Sequence, residues 1–144
     1  MNQVAIMYPV FVQVLLTLLV LCLLAMARAR AISGMKGRRS DPDLALGRAI
    51  WPEDATKRAA SFRNQFELPV LFYAVTAFAL LTKGANAVMI LLAWAFVLTR
   101  IVHAAIHLGP NIVVWRTPAF AVGFLIVTAM WIKLAVHVMT AGVA

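Results

Sequence analysis

The sequence predicts an all-α integral membrane protein, a four-helix up-down bundle forming a single domain over residues 1–144. Three observations carry that expectation. The chain is 64% hydrophobic and only 12% charged, whereas a soluble domain carries roughly 25% charged residues. Its apolar residues collect in four stretches, about 4–27, 62–82, 86–108 and 119–140, each close to the ~20 residues an α-helix needs to cross hydrocarbon. The turns after the second and third stretches are short, which makes consecutive helices antiparallel neighbours.

The net charge of +8 could suggest nucleic acid, but its placement argues against that partner. Nine of the thirteen basic residues (Arg28, Arg30, Lys36, Arg38, Arg39, Arg48, Lys57, Arg58 and Arg63) fall between the first two apolar stretches. Arg116 lies on the same side of the bundle, and only Lys83 occupies the intervening turn. Basic residues accumulate on the cytoplasmic side of membrane proteins. The expected topology therefore has both termini outside and the basic first loop in the cytoplasm, in the inner or plasma membrane if the source is bacterial. Attraction to anionic lipid headgroups is a sufficient use for the excess charge.

Val4 to Ala27 reads as the first span. Ala25-Met26-Ala27 resembles a signal-peptidase site, but nothing basic precedes the apolar run and the run is too long for a signal peptide, so the helix is expected to be retained. Cys22, the single cysteine, lies in mid-span and reads as a small packing residue. Residues 28–51 form the long polar connection. Trp51-Pro52-Glu53-Asp54 then marks a helix start, with proline in the first turn and acids at the positive end of the dipole. The second helix is expected to run unbroken from about Glu53 to Thr82, with Pro69 tolerated inside it. At 1.5 Å per residue it measures roughly 45 Å against a ~30 Å core, so its first turns project into the cytoplasm. Lys83-Gly84-Ala85-Asn86 is a tight turn into the third helix, which ends at Leu108-Gly109-Pro110. A link carrying Arg116, Thr117 and Pro118 leads to the fourth span, where Lys133 beside Trp131 snorkels to the interface.

Polar residues inside these spans direct attention to function. Arg100, His103 and His107 are spaced three and four apart, which stacks them on one helix face. A charge near mid-span costs about 2.5–3.5 kcal/mol on insertion scales, so such residues are paired, face a cavity, or do chemistry. Arg63, Asn64 and Glu67 lie at the corresponding depth of the second helix, and Arg116 just beyond the third. Glu67 is the only acid in an apolar span and Arg100 the only arginine well inside one, so the two are expected to pair. Two histidines four apart could hold a metal, but no HExxH pattern, cysteine ligand or acid on that helix completes a set.

Arg63-Asn64-x-x-Glu67, Arg100-x-x-His103-x-x-x-His107-Leu108-Gly109 and Arg116 nine positions after His107 together resemble the MAPEG superfamily, membrane-associated proteins in eicosanoid and glutathione metabolism. The resemblance is closest to its microsomal prostaglandin E synthase-like branch and covers nearly the whole chain. It implies a homotrimer with a glutathione site at each subunit interface near the cytoplasmic face. The implied activity is a glutathione-dependent transferase or peroxidase acting on lipophilic electrophiles drawn from the membrane. By position, Asn64, Glu67, Arg100, His103 and His107, with Arg63 beside them, would hold glutathione. Arg116 would be the catalytic group, since a guanidinium favours the thiolate. Two positions depart from the family pattern: Ala60 stands where an arginine is usual, and His107 where a tyrosine is frequent. Two alternatives stand beside the enzyme. One is an accessory or assembly subunit of the same fold without glutathione chemistry; the other is an unrelated bundle whose buried ions only set helix register.

Overall fold

The computed structural model describes residues 3–34 and 51–141, and every described element is helical. A 3-10 turn over Gln3–Ile6 leads into α1 (Met7–Gly34). The second span divides into α2 (Glu53–Arg63), a 3-10 turn (Asn64–Phe66) and α3 (Leu68–Leu81). α4 (Ala87–Leu108) and α5 (Val113–Ala141) complete the chain. Four stretches, Gln3–Gly34, Glu53–Leu81, Ala87–Leu108 and Val113–Ala141, are long and apolar enough to cross a membrane.

Three boundaries differ from expectation. α1 continues past Ala27 to Gly34, because Ala and Arg are strong helix formers and no breaker intervenes. Of the expected 28–51 connection, residues 35–50 lie outside the described residues. The second helix is broken at Asn64–Glu67. Pro69 has no N–H, so it cannot close a helical bond to the Gln65 carbonyl four residues back, and α3 restarts with proline in its first turn. The fourth span, α5, begins at Val113, so Arg116 sits in its first turn and Pro118 inside it. Thr117 Oγ1 donates to the Val113 carbonyl oxygen at 3.0 Å within this same first stretch.

The turn between α3 and α4 follows directly from sequence. Lys83 adopts a positive φ of 57°. Gly84 N–H reaches back to Ala79 O at 2.8 Å and Lys83 N–H to Leu80 O at 3.1 Å, the paired bonds of a Schellman ending. Asn86 then caps α4, its Oδ1 accepting from Met89 N–H at 3.1 Å. Gly84 has to be small: a Cβ there would lie 2.6 Å from the His137 ring, which packs over the turn and donates from Nε2 to Thr82 O at 3.0 Å.

Around the bundle, α4 packs along α5 and against α1, while α3 packs on α5. The stacked rings of Phe72 and Phe96, 4.6 Å apart, centre a core that includes Val75, Ala79, Met89, Ala93, Val127 and Met130. At Gly123 the α4–α5 seam closes so tightly that a Cβ would meet Thr99 Oγ1 at 2.9 Å. Small residues permit such close approach where lipid supplies no hydrophobic drive between helices. α2 packs on α1 and α4, bringing the start of the second span against the end of the third. The outward faces of the spans are largely apolar, with Leu15, Leu91 and Leu125 among many exposed large side chains. Cys22 is on such a face, exposed rather than packed in the core.

Candidate functional site

The break in the second span is what builds the site. Interrupting the helix at Asn64 frees carbonyls that a continuous helix would satisfy, and a buried carbonyl needs a donor. Arg100 supplies one: its Nη2 donates to Asn64 O at 3.0 Å. Arg100 is fully buried, its guanidinium 5.8 Å from the centre of the Phe120 ring. Its remaining donors, Nε and Nη1, are buried with no partner among the described residues.

Glu67 does not pair with it. Among the described residues the one ion pair is Arg58–Asp54, an exposed pair one helical turn apart at 2.9 Å. Glu67 is exposed at the break, so the expected buried Glu67–Arg100 pair is corrected: the arginine is held by a backbone carbonyl. Irregular backbone at membrane depth creates acceptors that compete with a carboxylate for the guanidinium.

Asn64 links this break to α4. Its Nδ2 lies 3.3 Å from His103 Nε2 and 3.3 Å from His107 Nδ1. Both histidines are buried, on the face where the spacing put them. His103 Nδ1 lies 3.2 Å from the carbonyl oxygen of Arg116, tying α4 to the first turn of α5. The Arg116 side chain donates from Nη1 to Asn111 Oδ1 at 2.8 Å. Asn111 holds a positive φ of 53° in the α4–α5 turn, a conformation asparagine tolerates better than most residues. Lys57 on α2 fastens the same turn through a hydrogen bond to the Gly109 carbonyl.

Asn64, Glu67, His103, Arg116, Thr117 and Phe120 line a cavity of about 220 Å³. The sequence-derived residues thus divide. Asn64, Glu67, His103 and Arg116 face the cavity; Arg100 and His107 stand behind Asn64 and hold it. Arg63 is exposed and shares no hydrogen bond with the group. The cavity carries one guanidinium and one carboxylate, so it can receive a ligand with charges of both signs and stabilise an anion beside Arg116.

Thr117 and Phe120 were not anticipated, because Arg116 to Pro118 read as a link. Had the helix been started at Val113, Arg116 and Phe120 would have stood out as an i, i+4 pair. Gln13 and Gln65 were also missed: Gln13 Nε2 donates to Gln65 Oε1 at 3.0 Å, a buried amide pair joining α1 to the break. Their signal was present, since each is a polar residue within or next to an apolar run.

The MAPEG family matches residues 6–136. The chain belongs to the MAPEG family. A MAPEG chain is a four-helix membrane bundle, in agreement with the architecture described above. Comparison with curated proteins and with solved structures gave no match.

Proposed function

We propose that this MAPEG protein is a membrane-embedded, glutathione-dependent transferase or peroxidase of the microsomal prostaglandin E synthase-like kind, acting on lipophilic electrophiles. The observation that carries this reading is the cavity in which Arg116, Glu67, Asn64 and His103 converge at the basic end of the bundle. Glutathione presents two carboxylates, an ammonium and a thiol, and the residues fit those groups. Arg116 offers a guanidinium for an anion, and Glu67 a carboxylate for an ammonium. Arg100, behind the cavity wall, holds the Asn64 backbone in place for the ligand.

When bound, glutathione supplies the sulfur nucleophile. The chain's part is to orient the tripeptide and to favour its ionised thiol through the charge of Arg116, since a free thiol titrates near 8.5 and a neighbouring cation lowers that value. The exposed apolar faces of α4 and α5 let the electrophile arrive from the bilayer.

The resemblance implies a homotrimer with sites between subunits, and the small size of the single-chain cavity supports that reading. Ligand pockets start at roughly 300 Å³, and one chain offers about 220 Å³. A second copy packed on the exposed apolar surface would complete the site. With the basic end facing the cytoplasm, glutathione would enter from that side.

Two observations favour a second reading, a MAPEG-fold accessory or assembly subunit without glutathione chemistry. Ala60 and His107 replace an arginine and a tyrosine of the family pattern, and both ring nitrogens of His103 are engaged by the protein itself. Isothermal titration of the detergent-solubilised protein with glutathione separates the two. Saturable binding, with one site per subunit, supports the enzyme; its absence at millimolar glutathione assigns the accessory role.

A further inference from the structure

With both imidazoles neutral, the hydrogen bonds around Asn64 admit only one arrangement of protons. The Arg116 carbonyl oxygen, 3.2 Å from His103 Nδ1, can only accept, so His103 Nδ1 carries a hydrogen. In a neutral imidazole the other nitrogen is then an acceptor, so His103 Nε2 presents a lone pair to Asn64 at 3.3 Å. The atom of Asn64 facing it must be the amide nitrogen. That same nitrogen faces His107 Nδ1 at 3.3 Å, so His107 Nδ1 is also bare and its hydrogen sits on Nε2. One backbone carbonyl therefore sets two tautomers and one amide orientation.

We propose that His107 is a positioning residue. With His103 it clamps the Asn64 amide, so that the NH₂ group is spent on the protein and Oδ1 alone is offered to a donor on a ligand in the cavity. The Asn64 carbonyl is likewise committed, to Arg100 at 3.0 Å. Asn64 is thus held at three points, and the wall it forms with Glu67 accepts hydrogen bonds and donates none. A ligand must bring an N–H donor to that wall and its anionic group to Arg116. His103 sets this polarity, and His107 holds the second amide hydrogen to it without lining the cavity.

The test uses the full chain in nanodiscs with ¹⁵N-labelled histidine, assigned by difference against His107→Gln. Nitrogen resonances should report His103 Nδ1 and His107 Nε2 protonated, with His103 Nε2 and His107 Nδ1 bare. A proton on His103 Nε2 or His107 Nδ1 in the unliganded protein overturns the inference. Asn64→Asp brings no donor when ionised and one at most when protonated, so at least one facing nitrogen should gain a proton; both nitrogens bare in the folded variant also overturn it. The ligand side rests on the glutathione reading. His107→Gln, whose Oε1 accepts the same N–H, should keep glutathione affinity within a few fold. His107→Leu should lose up to about tenfold, the worth of one hydrogen bond misdirected, and wild-type affinity in the Leu variant would overturn the clamp. Failure of the wild type to bind glutathione sinks the glutathione reading, while the nitrogen spectrum still decides the clamp.

Discussion

Arg100 donates from Nη2 to the backbone carbonyl of Asn64 at 3.0 Å, so a buried arginine on one helix caps a break in another. Its burial is thus tied to backbone rather than to a carboxylate, and that predicts an asymmetry. Arg100→Ala strands the carbonyl and empties space beside Phe120, costing about 2–4 kcal/mol. Glu67→Gln, at an exposed and unpaired carboxylate, should stay within about 0.5 kcal/mol. Thermal unfolding in detergent reads both; equal losses would restore the ion pair.

The Gln13–Gln65 amide pair predicts a coupling. Gln13 Oε1 and Gln65 Nε2 are buried without partners among the described residues, so the pair makes one bond where two are possible. Each single change to Leu leaves the other amide stranded and should cost about 0.5–2 kcal/mol. The double Leu variant should cost less than the sum, because no polar group remains to desolvate. Strict additivity in the double-mutant cycle would mean that the two side chains do not interact.

At Gly123 the limit is steric. A Cβ would stand 2.9 Å from Thr99 Oγ1, and Thr99 Oγ1 is itself donating to Phe96 O at 2.7 Å. Gly123→Val should lower stability by about 1–3 kcal/mol through overpacking. Thr99→Ala in the same chain should recover part of it. No recovery would place the crowding elsewhere on the seam.

For topology, the structure selects the positions to label. A cysteine at Gly84 would collide with His137, whereas Lys83 beside it is exposed, as is Ser33 near the end of α1. With Cys22 replaced, the basic bias predicts that an impermeant thiol reagent reaches Ser33→Cys from the cytoplasm and Lys83→Cys from outside. Labelling of Lys83→Cys from the cytoplasm would invert the orientation.

The four apolar stretches, the Lys83–Asn86 turn and the shared face of Arg100, His103 and His107 were legible in the sequence, because hydropathy and helical spacing are local properties. The break at Asn64–Glu67 was legible only in part. Pro69 announced a missing N–H, but where its consequence falls depends on Arg100 and Gln13 arriving from other helices. Pairing Glu67 with Arg100 failed for the same reason: counting side-chain charges omits the carbonyl that the break releases. Placing Arg116 in a link rather than in a helix hid Phe120, and with it the far wall of the cavity.

Arg116 carries the chemical prediction. Its backbone is tied to His103 Nδ1 and its side chain to Asn111 Oδ1, yet it also lines the cavity with Asn64 and Glu67. A neutral acceptor such as Asn111 leaves the guanidinium charge uncompensated, available to an anion. Each unit by which that charge lowers the thiol pKa of bound glutathione corresponds to about 1.4 kcal/mol of thiolate stabilisation. A catalytic role predicts that Arg116→Ala keeps glutathione affinity within a few fold while losing the ultraviolet thiolate absorbance near neutral pH and most turnover. Arg116→Lys, which keeps the charge but not the fork, should retain part of both. Asn111→Ala separates anchoring from charge: it releases the side chain without removing the cation, so the thiolate signal should persist. If Arg116→Ala leaves both absorbance and turnover unchanged, Arg116 only fastens the end of α5 to the turn, and the catalytic assignment ends there.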